Sequence, residues 1–382
     1  MLKIAHIITG LDTGGAETML YNLLAYQQED DTLQAEVYSL TDIGTTGQRI
    51  AALGLPVHAL GMTPGLPNPL LIIKLARWLQ ENQFDVVQTW LYHADLVGSI
   101  AAKLAGNIPL AWCIQNTRLD TGVESSRTIW IAKQLAWLSR FMPDRIIAAA
   151  EAARKWHVGL GYSDEKMVII PNGFDLTRFQ PDSTARAEIR AELDIPPDAP
   201  VVGMVARFEP VKDHANFVAA AKALHEINRE AFFVLAGKNV TWENDDLSAW
   251  IAMGDMQQQF RLLGLRNDAP RLFNALDVIT LSSRSEALPL TIGEAMACGI
   301  PAVVTDVGDA ALLVGDTGKI VPARNPEALS LAWNEILALP DSERHVLGSA
   351  ARLRIEQHYS LPTIAAQYQM LWEEIRSSTT KK

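Results

Sequence analysis

Two carboxylates stand in a segment that otherwise has the composition of a protein core, SEALPLTIGEAMACGIP at residues 285 to 301. Carboxylates are rarely buried without a partner, so Glu286 and Glu294 need a chemical reason to be there. Glu286 lies in the loop before a predicted helix, where a carboxylate can accept hydrogen bonds from ligand hydroxyls. A carboxylate further along the helix, as Glu294 is, could accept two such bonds from a ribose diol.

The start of this helix has two interpretations. Thr291 and Glu294 fit a capping box, with Thr291 as the N-cap and Glu294 reaching back to it. Alternatively, Pro289 occupies the first helical position. Glu294 then lies more than one turn inside the helix, and the amides near Leu290 and Thr291 are free to bind a ligand.

Cations and glycines elsewhere are suited to phosphate. Arg207 and Lys212, in ARFEPVKD, follow a predicted strand and precede a helix, so together they could neutralise a diphosphate. Gly14 and Gly15 open a helix whose free amides could hold an anion. Each feature alone also fits a loop without a ligand, and the glycine spacing is not that of a dinucleotide fingerprint.

His93 is placed similarly, because it follows the predicted strand DVVQTWL and begins a helix. A histidine here could bind a sugar hydroxyl or stabilise charge in a transition state. It could also be a capping histidine or one satisfied within the core.

Alternating short apolar strands and amphipathic helices connect these residues. Seven predicted strands fill the first half: KIAHIIT, AEVYSL, PVHAL, DVVQTWL, LAWCIQN, RIIAAA and MVIIPNG. After a Pro- and Asp-rich stretch at residues 171 to 200, the rhythm restarts with PVVGMVAR, AFFVLAG, FRLLG, DVITLSS and PAVVTD. This pattern predicts an α/β protein with two doubly wound parallel sheets. Two such sheets imply a cleft, and ligands bind beyond the carboxyl ends of strands.

Composition excludes several classes of protein. The chain has 382 residues and a net charge of −11, which disfavours nucleic acid as a partner. The two cysteines cannot form a disulfide framework, so a reducing cytoplasm is expected. The amino-terminal segment lacks the features of a signal peptide, and no apolar run reaches membrane-spanning length.

Four motifs in order carry a resemblance to a known family. They are GGAE at 14 to 17, PNGFDLTRF at 171 to 179, ARFEPVKD at 206 to 213, and the Glu-x7-Glu block with EAMACGIP. The chain resembles glycosyltransferase family 4, the retaining nucleotide-sugar transferases with a GT-B fold, over nearly its whole length. WLYHADLVGS and TDVGDAALLVGDTG resemble a bacterial subgroup that builds lipopolysaccharide and exopolysaccharide.

The resemblance implies Rossmann-like domains at 1–175, for the acceptor, and 176–360, for the donor. Residues 361–382 would return to the first domain as a helix.

The resemblance also implies roles for individual residues. The implied catalytic residues are His93, Glu286, Arg207 and Lys212. The implied substrate-binding residues are Gly14, Gly15, Arg207, Lys212, Leu265, Arg266, Glu286, Leu288, Leu290, Thr291 and Glu294. Within these sets, the two cations hold and stabilise the leaving diphosphate, Gly15 allows close approach to it, and His93 contacts the donor sugar. Glu286 binds that sugar, Glu294 the ribose, and Leu265 and Arg266 the base.

The sequence departs from the family in the sugar-binding loop. Ala287 stands where the family often has a glycine, and alanine lacks glycine's freedom at positive φ. We therefore expect the loop to lie differently around the sugar.

The expected reaction needs no cofactor or metal, because two cations and helix-end amides can stabilise the departing diphosphate. We expect a UDP-sugar donor, with UDP-glucose ahead of UDP-galactose, UDP-glucuronic acid, UDP-N-acetylglucosamine and GDP-mannose. The expected acceptor is a glycan or lipid-linked glycan, and the expected location is the cytoplasm at the inner face of the plasma membrane. Alternatives are a nucleotide-sugar-binding regulatory subunit without turnover and a GT-B epimerase.

Residues 126–145, SRTIWIAKQLAWLSRFMPDR, form a locally basic helix in an acidic protein. Trp130, Trp137 and Phe141 recur with Lys133 and Arg140 at helical spacing. Such a helix can lie in the headgroup layer of anionic lipid. The other interpretation packs Trp130 and Trp137 against the first domain's sheet, because apolar stripes usually face the core.

Overall fold

A computed structural model describes residues 1–12, 14–28, 30–63, 68–117, 119 and 125–379. The strands in these ranges are β1 (Leu2–Ile8), β2 (Leu33–Ser39), β3 (Val57–Ala59), β4 (Val86–Trp90), β5 (Leu110–Ile114), β6 (Arg145–Ala148), β7 (Met167–Ile169), β8 (Val201–Val205), β9 (Phe232–Ala236), β10 (Phe260–Leu262), β11 (Val278–Leu281), β12 (Ala302–Thr305) and β13 (Lys319–Val321). The helices are α1 (Gly15–Gln27), α2 (Gly44–Ala52), α3 (Pro69–Asn82), α4 (Tyr92–Leu104), α5 (Ser126–Leu138), α6 (Glu151–Leu160), α7 (Ser183–Glu192), α8 (His214–Ile227), α9 (Asp245–Ala252), α10 (Ala269–Asn274), α11 (Leu290–Ala297), α12 (Ala310–Val314), α13 (Pro326–Leu337), α14 (Asp341–Tyr359) and α15 (Leu361–Thr379). Short 3₁₀ helices span Asp164–Lys166 and Pro210–Lys212.

The chain divides into two compact units. The first is Met1–Gly173 together with Leu361–Lys382, and the second is Phe174–Ser360. The break after Gly173 lies close to the predicted one after residue 175. Helix α7 lies within the Pro- and Asp-rich stretch that was predicted to connect the domains, and it belongs to the second unit.

The first unit contains a seven-stranded parallel sheet in the order β3-β2-β1-β4-β5-β6-β7. Its central strands β1, β4, β5 and β6 are buried on both faces, as is usual for parallel strands joined by helical crossovers. Residues of α3, α4 and α5 pack with one face of the sheet, and residues of α1, α2 and α15 pack with the other. The strand order reverses direction between β1 and β4, which is the type of position where ligands bind in open α/β sheets.

Helix α15 is held to the first unit by polar contacts as well as apolar packing. The Trp372 indole donates to Gln88 of β4 at 3.0 Å, and the Tyr368 hydroxyl lies 3.6 Å from the Cys113 sulfur of β5. Because these polar groups are buried and hydrogen-bonded, they fix the position of α15 along the sheet and strengthen its packing there.

The second unit has a six-stranded parallel sheet in the order β10-β9-β8-β11-β12-β13. Its direction reverses between β8 and β11, which pair through Val202 with Val278 and Gly203 with Ile279. The predicted α/β class with two doubly wound parallel sheets is confirmed. Each of the twelve predicted strands overlaps an observed one. β13 was not predicted, because Lys319 and Pro322 limit its apolar run to the two residues Ile320 and Val321.

The packing of α5 overturns one of the two interpretations of residues 126–145. Ile131 and Leu135 are buried, but Trp130, Trp137 and Phe141 are exposed over 59%, 62% and 67% of their surfaces. The aromatic stripe therefore faces solvent, and the expectation that the tryptophans pack on the sheet is wrong. The buried face of α5 is filled by smaller aliphatic residues. No helix in the described part of the chain is long and apolar enough to cross a membrane.

Candidate active site

The loops that follow β8 and β11 carry the residues predicted to act on the diphosphate and the sugar. These strands are neighbours at the point where the second sheet reverses direction. The Lys212 ammonium donates to Glu286 Oε1 at 2.6 Å, and the Ser283 hydroxyl donates to the same oxygen at 2.6 Å. Two residues predicted from separate motifs are therefore in direct contact. Both side chains are largely buried, so solvent screens this ion pair less than a surface pair.

The backbone around Glu286 is fixed by the loop after β12. Gly308 has a φ of +57°, and a Cβ there would lie 2.2 Å from the Glu286 carbonyl oxygen. The Asp309 amide donates to the Ala287 carbonyl at 2.9 Å. Glycine is thus required at 308, where positive φ and close approach coincide. Ala287 itself does not adopt positive φ, so this position makes no demand for glycine.

Arg207 is in the same loop as Lys212 but has a different environment. Its side chain is 65% exposed and pairs with Glu209 at 3.1 Å. The structure brings Lys212 to Glu286 and leaves Arg207 at the surface of the loop. The predicted contact of Arg207 with a diphosphate stays a prediction.

Helix α11 begins at Leu290, with Pro289 as its N-cap and no side-chain cap. The capping-box interpretation is wrong, because Thr291 lies inside the first turn and Glu294 in the second. The other interpretation is correct apart from a shift of one residue, since Pro289 precedes the first helical position and does not occupy it. Proline suits this position because it has no N–H to satisfy.

The amides of Leu290 and Thr291 donate to no partner among the described residues. They form the positive end of the helix beside the loop that carries Glu286. The Leu288 side chain, in contrast, is buried in the core of the second unit. Any contact of Leu288 with a ligand would therefore come from its backbone.

Glu294 lies half-buried on α11. Burial raises the pKa of its carboxyl to about 7, and the positive charge of Arg178 opposes this rise. Among the described residues, none makes a hydrogen bond to this carboxylate, so it is available to a ligand.

Arg178 was not identified from the sequence as a site residue. It belongs to PNGFDLTRF, a motif that signalled the family without suggesting a role. Asp175 accepts hydrogen bonds from the amides of Thr177 and Arg178 at 2.9 and 3.2 Å, which forms a local turn. This turn presents the Arg178 charge towards Glu294.

The raised pKa of Glu294 predicts how stability depends on pH. An unfolded glutamate titrates near 4.5, so between about pH 4.5 and 7 the folded protein binds more protons than the unfolded chain. The free energy of unfolding therefore falls as pH rises through this window. Glu294→Gln cannot ionise, and should be more stable than the wild type at about pH 8, on the order of 1 kcal/mol after discounting for partial exposure. At about pH 5 the two should differ little.

Thermal unfolding at both pH values, with the exposed Glu226→Gln as the matched control, measures this effect. A gain of equal size at both pH values, or an equal gain in the control, would contradict the burial of the Glu294 carboxylate.

The predicted base-binding residues lie after β10. Leu265 is exposed, but the Arg266 guanidinium is held by Asp268 at 2.7 and 2.6 Å and by Glu192 at 2.5 Å. These bonds occupy the edge of the guanidinium and fix its plane. Stacking of a base on that plane stays a prediction.

In the first unit, the predicted residues follow the neighbouring strands β1 and β4, where that sheet reverses direction. Gly14 is the N-cap of α1 and provides no side-chain cap, and a Cβ on it would overlap the Glu17 carboxylate. A Cβ on Gly15 would meet no atom within 4 Å. Gly15 therefore borders open space, as a residue approached by a ligand would.

His93 is the second residue of α4 and is half-buried. Burial lowers the pKa of its imidazole, which keeps the ring neutral near pH 7. The preceding Leu91 has a φ of +73°, an uncommon value for a branched residue. Asp95, in the same helical turn, accepts a hydrogen bond from Thr89 at 2.5 Å and ties the helix start to β4. Such strain, held in place by surrounding bonds, is found preferentially at functional sites.

Within the described ranges, no group of three or more His, Cys, Asp or Glu side chains is arranged to hold a metal ion.

Two neighbouring loops joined by a largely buried ion pair, next to free helix amides at the reversal point of a doubly wound sheet, form the candidate site of an α/β protein. Comparison with known proteins specifies the class. Residues 13–178 match the model of Glycosyltransferase Family 4, and residues 185–354 match that of Glycosyl transferases group 1. The chain belongs to the family 4 glycosyltransferases and is a hexosyltransferase.

Several relatives are similar over much of the chain. EpsF of Bacillus subtilis (strain 168), named provisionally as a glycosyltransferase, is 28% identical over 80% of this chain and 79% of its own length. The UDP-Gal:alpha-D-GlcNAc-diphosphoundecaprenol alpha-1,3-galactosyltransferase of Escherichia coli is 30% identical over 62% of this chain. That alignment spans 61% of the E. coli enzyme.

A third relative aligns over more of the chain. The N,N'-diacetylbacillosaminyl-diphospho-undecaprenol alpha-1,3-N-acetylgalactosaminyltransferase of Campylobacter jejuni subsp. jejuni serotype O:2 is 24% identical over 89% of this chain and 91% of its own length.

Solved structures are similar over the entire fold. HepE of Anabaena in complex with UDP has a TM-score of 0.85 and 24% identity, covering 98% of this chain and all of its own. A sucrose-phosphate synthase from Thermosynechococcus elongatus has a TM-score of 0.76 and 18% identity, covering 99% of this chain and all of its own. The GT-B fold predicted from the sequence is thereby confirmed.

Proposed function

We propose that this protein is a retaining glycosyltransferase that moves a sugar from a UDP-sugar, with UDP-glucose as the lead donor, to a lipid-linked glycan in envelope or exopolysaccharide synthesis. The observation that carries the proposal is the contact of Lys212 with Glu286 beside the free amides of Leu290 and Thr291. A cation and helix amides favour a diphosphate, and the adjoining carboxylate favours sugar hydroxyls.

The proposed chemistry follows from these charges. The glycosidic bond to the diphosphate breaks through an oxocarbenium-like transition state, and negative charge grows on the leaving oxygen. Lys212, Arg207 and the α11 amides stabilise that charge, which removes the need for a divalent metal. Glu286 positions the sugar, Glu294 the ribose, and neutral His93 hydrogen-bonds the reacting face. The acceptor hydroxyl attacks on the side from which the diphosphate departs, and its proton leaves to the diphosphate or to water.

The test is donor consumption across a panel of nucleotide sugars, with and without a lipid-linked acceptor, in EDTA. The proposal expects acceptor-dependent release of UDP, a product that keeps the anomeric configuration of the donor by NMR, and activity that persists in EDTA. Binding without turnover would identify a regulatory subunit, and interconversion of the donor sugar without transfer would identify an epimerase. Loss of activity in EDTA that Mg²⁺ restores would contradict the metal-free mechanism.

The lipid-linked acceptor is supported by the relatives and by helix α5. The names of the E. coli and C. jejuni relatives specify acceptors carried on undecaprenol diphosphate. On α5, exposed Trp130 and Trp137 alternate with exposed Lys133, and Arg140 and Phe141 follow. Exposed aromatics flanked by cations suit the headgroup layer of an anionic bilayer. We propose that this face rests on the inner leaflet of the plasma membrane, where such acceptors would be available.

Other helices of the same layer add cations to this face. Lys74 and Arg77 of α3 and Lys103 of α4 are exposed, and α3, α4 and α5 pack on one side of the sheet. The local excess of positive charge contrasts with the net charge of −11 for the chain. An anionic surface would attract this face and repel most of the remaining protein.

Vesicle sedimentation at low salt checks the membrane proposal. The wild type should sediment with anionic phosphatidylglycerol vesicles but not with neutral phosphatidylcholine vesicles, and added salt should release it. Lys133→Glu/Arg140→Glu should abolish binding, because each residue near the surface contributes about 1 kcal/mol. Lys222→Glu/Arg229→Glu changes the net charge equally at exposed positions of the second unit and should still bind. A wild type that stays in the supernatant would show that the exposed aromatics serve another purpose.

A further inference from the structure

We propose that a paired Arg284 and Asp213 are positioning residues that set Lys212 against Glu286. This inference rests on the proposed function of the Lys212–Glu286 pair but concerns residues to which that function assigns no role. Arg284 Nε and Nη2 donate to the two carboxylate oxygens of Asp213, each at 2.7 Å. The fork therefore joins the residue immediately after Lys212 to a residue two positions before Glu286.

Asp213 is unusual in both backbone and side chain. Its φ and ψ are +54° and +53°, the left-handed region that asparagine, aspartate and glycine tolerate best. It occupies the N-cap position of α8, where aspartate ordinarily accepts a hydrogen bond from a helix amide, yet its side chain makes no such bond. Its carboxylate is only 3% exposed and is directed at Arg284. The Asp213 carboxylate therefore pairs with Arg284 of the other loop and does not cap α8.

Three further bonds tie the same two loops. The Arg284 amide donates to the Val211 carbonyl at 2.7 Å. The Ser282 hydroxyl lies 2.9 Å from the Lys212 carbonyl and 3.1 Å from the Asp213 carbonyl. The fork and these bonds surround the Lys212–Glu286 contact, so they form a clamp across the point where the sheet reverses direction.

The clamp matters because Lys212 and Glu286 have different tasks on one substrate. The ammonium must reach the leaving diphosphate while the carboxylate holds the sugar attached to it. A flexible lysine can reach a phosphate from many loop positions, but simultaneous contact with both parts of the donor requires a fixed spacing. Small misplacements of reacting groups can cost about 100-fold in rate. Loss of the clamp should therefore damage transfer more than nucleotide binding.

The experiment compares Arg284→Ala, Asp213→Gly and the double variant in the full-length protein. Asp213→Gly removes the carboxylate and keeps a residue that adopts positive φ readily, so it separates the ion pair from the turn. Each single variant should lower kcat by about tenfold or more while the Kd for UDP changes less than about threefold. The double variant should be no worse than the singles, because the two groups act as one unit.

Arg284→Lys should recover part of the loss, since lysine supplies the charge without the fork. Lys319→Ala, which breaks a 2.6 Å ion pair with Glu335 in the same unit, is the matched control.

Hydrogen exchange supplies a readout that does not depend on turnover. Amides of residues 209–213 and 282–286 should exchange faster in Arg284→Ala and Asp213→Gly than in the wild type, and at the wild-type rate in Lys319→Ala. Unchanged exchange in both loops overturns the clamp, whatever the enzyme's activity. Wild-type kcat in Asp213→Gly, or additive losses in the double variant, would also overturn it. An inactive wild type with the expected exchange pattern would instead contradict the proposed function and leave the clamp standing.

Discussion

Replacing Lys212 with alanine should reduce sugar transfer by about 100- to 1,000-fold, the effect of removing one preorganised group that stabilises transition-state charge. UDP should also bind more weakly, because the ground state already carries phosphate charge. Lys212→Gln retains a donor for Glu286 but removes the positive charge. If the positive charge of Lys212 acts on the diphosphate, Lys212→Gln should lose nearly as much transfer activity as Lys212→Ala.

Arg207→Ala tests whether the second cation shares this task. It too should cut transfer strongly and weaken UDP binding, although Arg207 pairs with Glu209 and is mostly exposed. Steady-state kinetics with UDP titrations on each folded variant measure both effects, and Lys319→Ala controls for loss of a cation elsewhere in the unit. Normal turnover in Arg207→Ala would show that Arg207 is not part of the active site. Normal turnover in Lys212→Gln would show that the Lys212–Glu286 contact is only structural.

Removing Glu286 should mainly affect sugar transfer, whereas removing Glu294 should mainly affect UDP affinity. Glu286→Ala should lower transfer by about 100-fold with a smaller effect on UDP affinity, because Glu286 meets the sugar that develops positive charge. Glu294→Ala should weaken UDP by about 10- to 100-fold, since a hydrogen bond to a charged group is worth about 1.5–3 kcal/mol. Its effect on kcat at saturating donor should be small.

Titration of UDP into each folded variant, followed by kcat at saturating donor, separates the two roles. Glu226→Gln serves again as a folded control with one carboxylate removed. Unchanged UDP affinity in Glu294→Ala would reduce Glu294 to a helix residue whose burial affects only stability. Equal losses of affinity in the two alanine variants would mean that the sugar and the ribose are not bound by separate carboxylates.

Much of the fold could be predicted because its signal is local. Strand-length apolar runs separated by amphipathic helices are visible in any window of the chain, and they predicted β1 to β12. β13 was missed because only two apolar residues, Ile320 and Val321, stand between Lys319 and Pro322. The start of α11 was ambiguous because Pro289 and Thr291 are both good helix-initiating residues, and only the path of the preceding loop decides between them.

The sequence could not show which face of α5 is buried, because helical spacing alone does not decide it. Helical spacing groups Trp130, Trp137 and Phe141 on one stripe, but a second apolar stripe through Ile131 and Leu135 has the same period. Which stripe is buried depends on the space between the helix and the sheet, and the smaller aliphatic side chains fill it.

The sequence by itself determined the residue types, their order and their position after strands. It therefore predicted the two doubly wound sheets and the chemistry of Glu286, Lys212 and Glu294. The tertiary structure alone decided which of these groups meet. Lys212 and Glu286 are far apart in the chain, and they touch because β8 and β11 become neighbours in the sheet. Strand order results from long-range packing, which no local pattern encodes, so the ion pair and the Arg284–Asp213 fork became visible only in three dimensions.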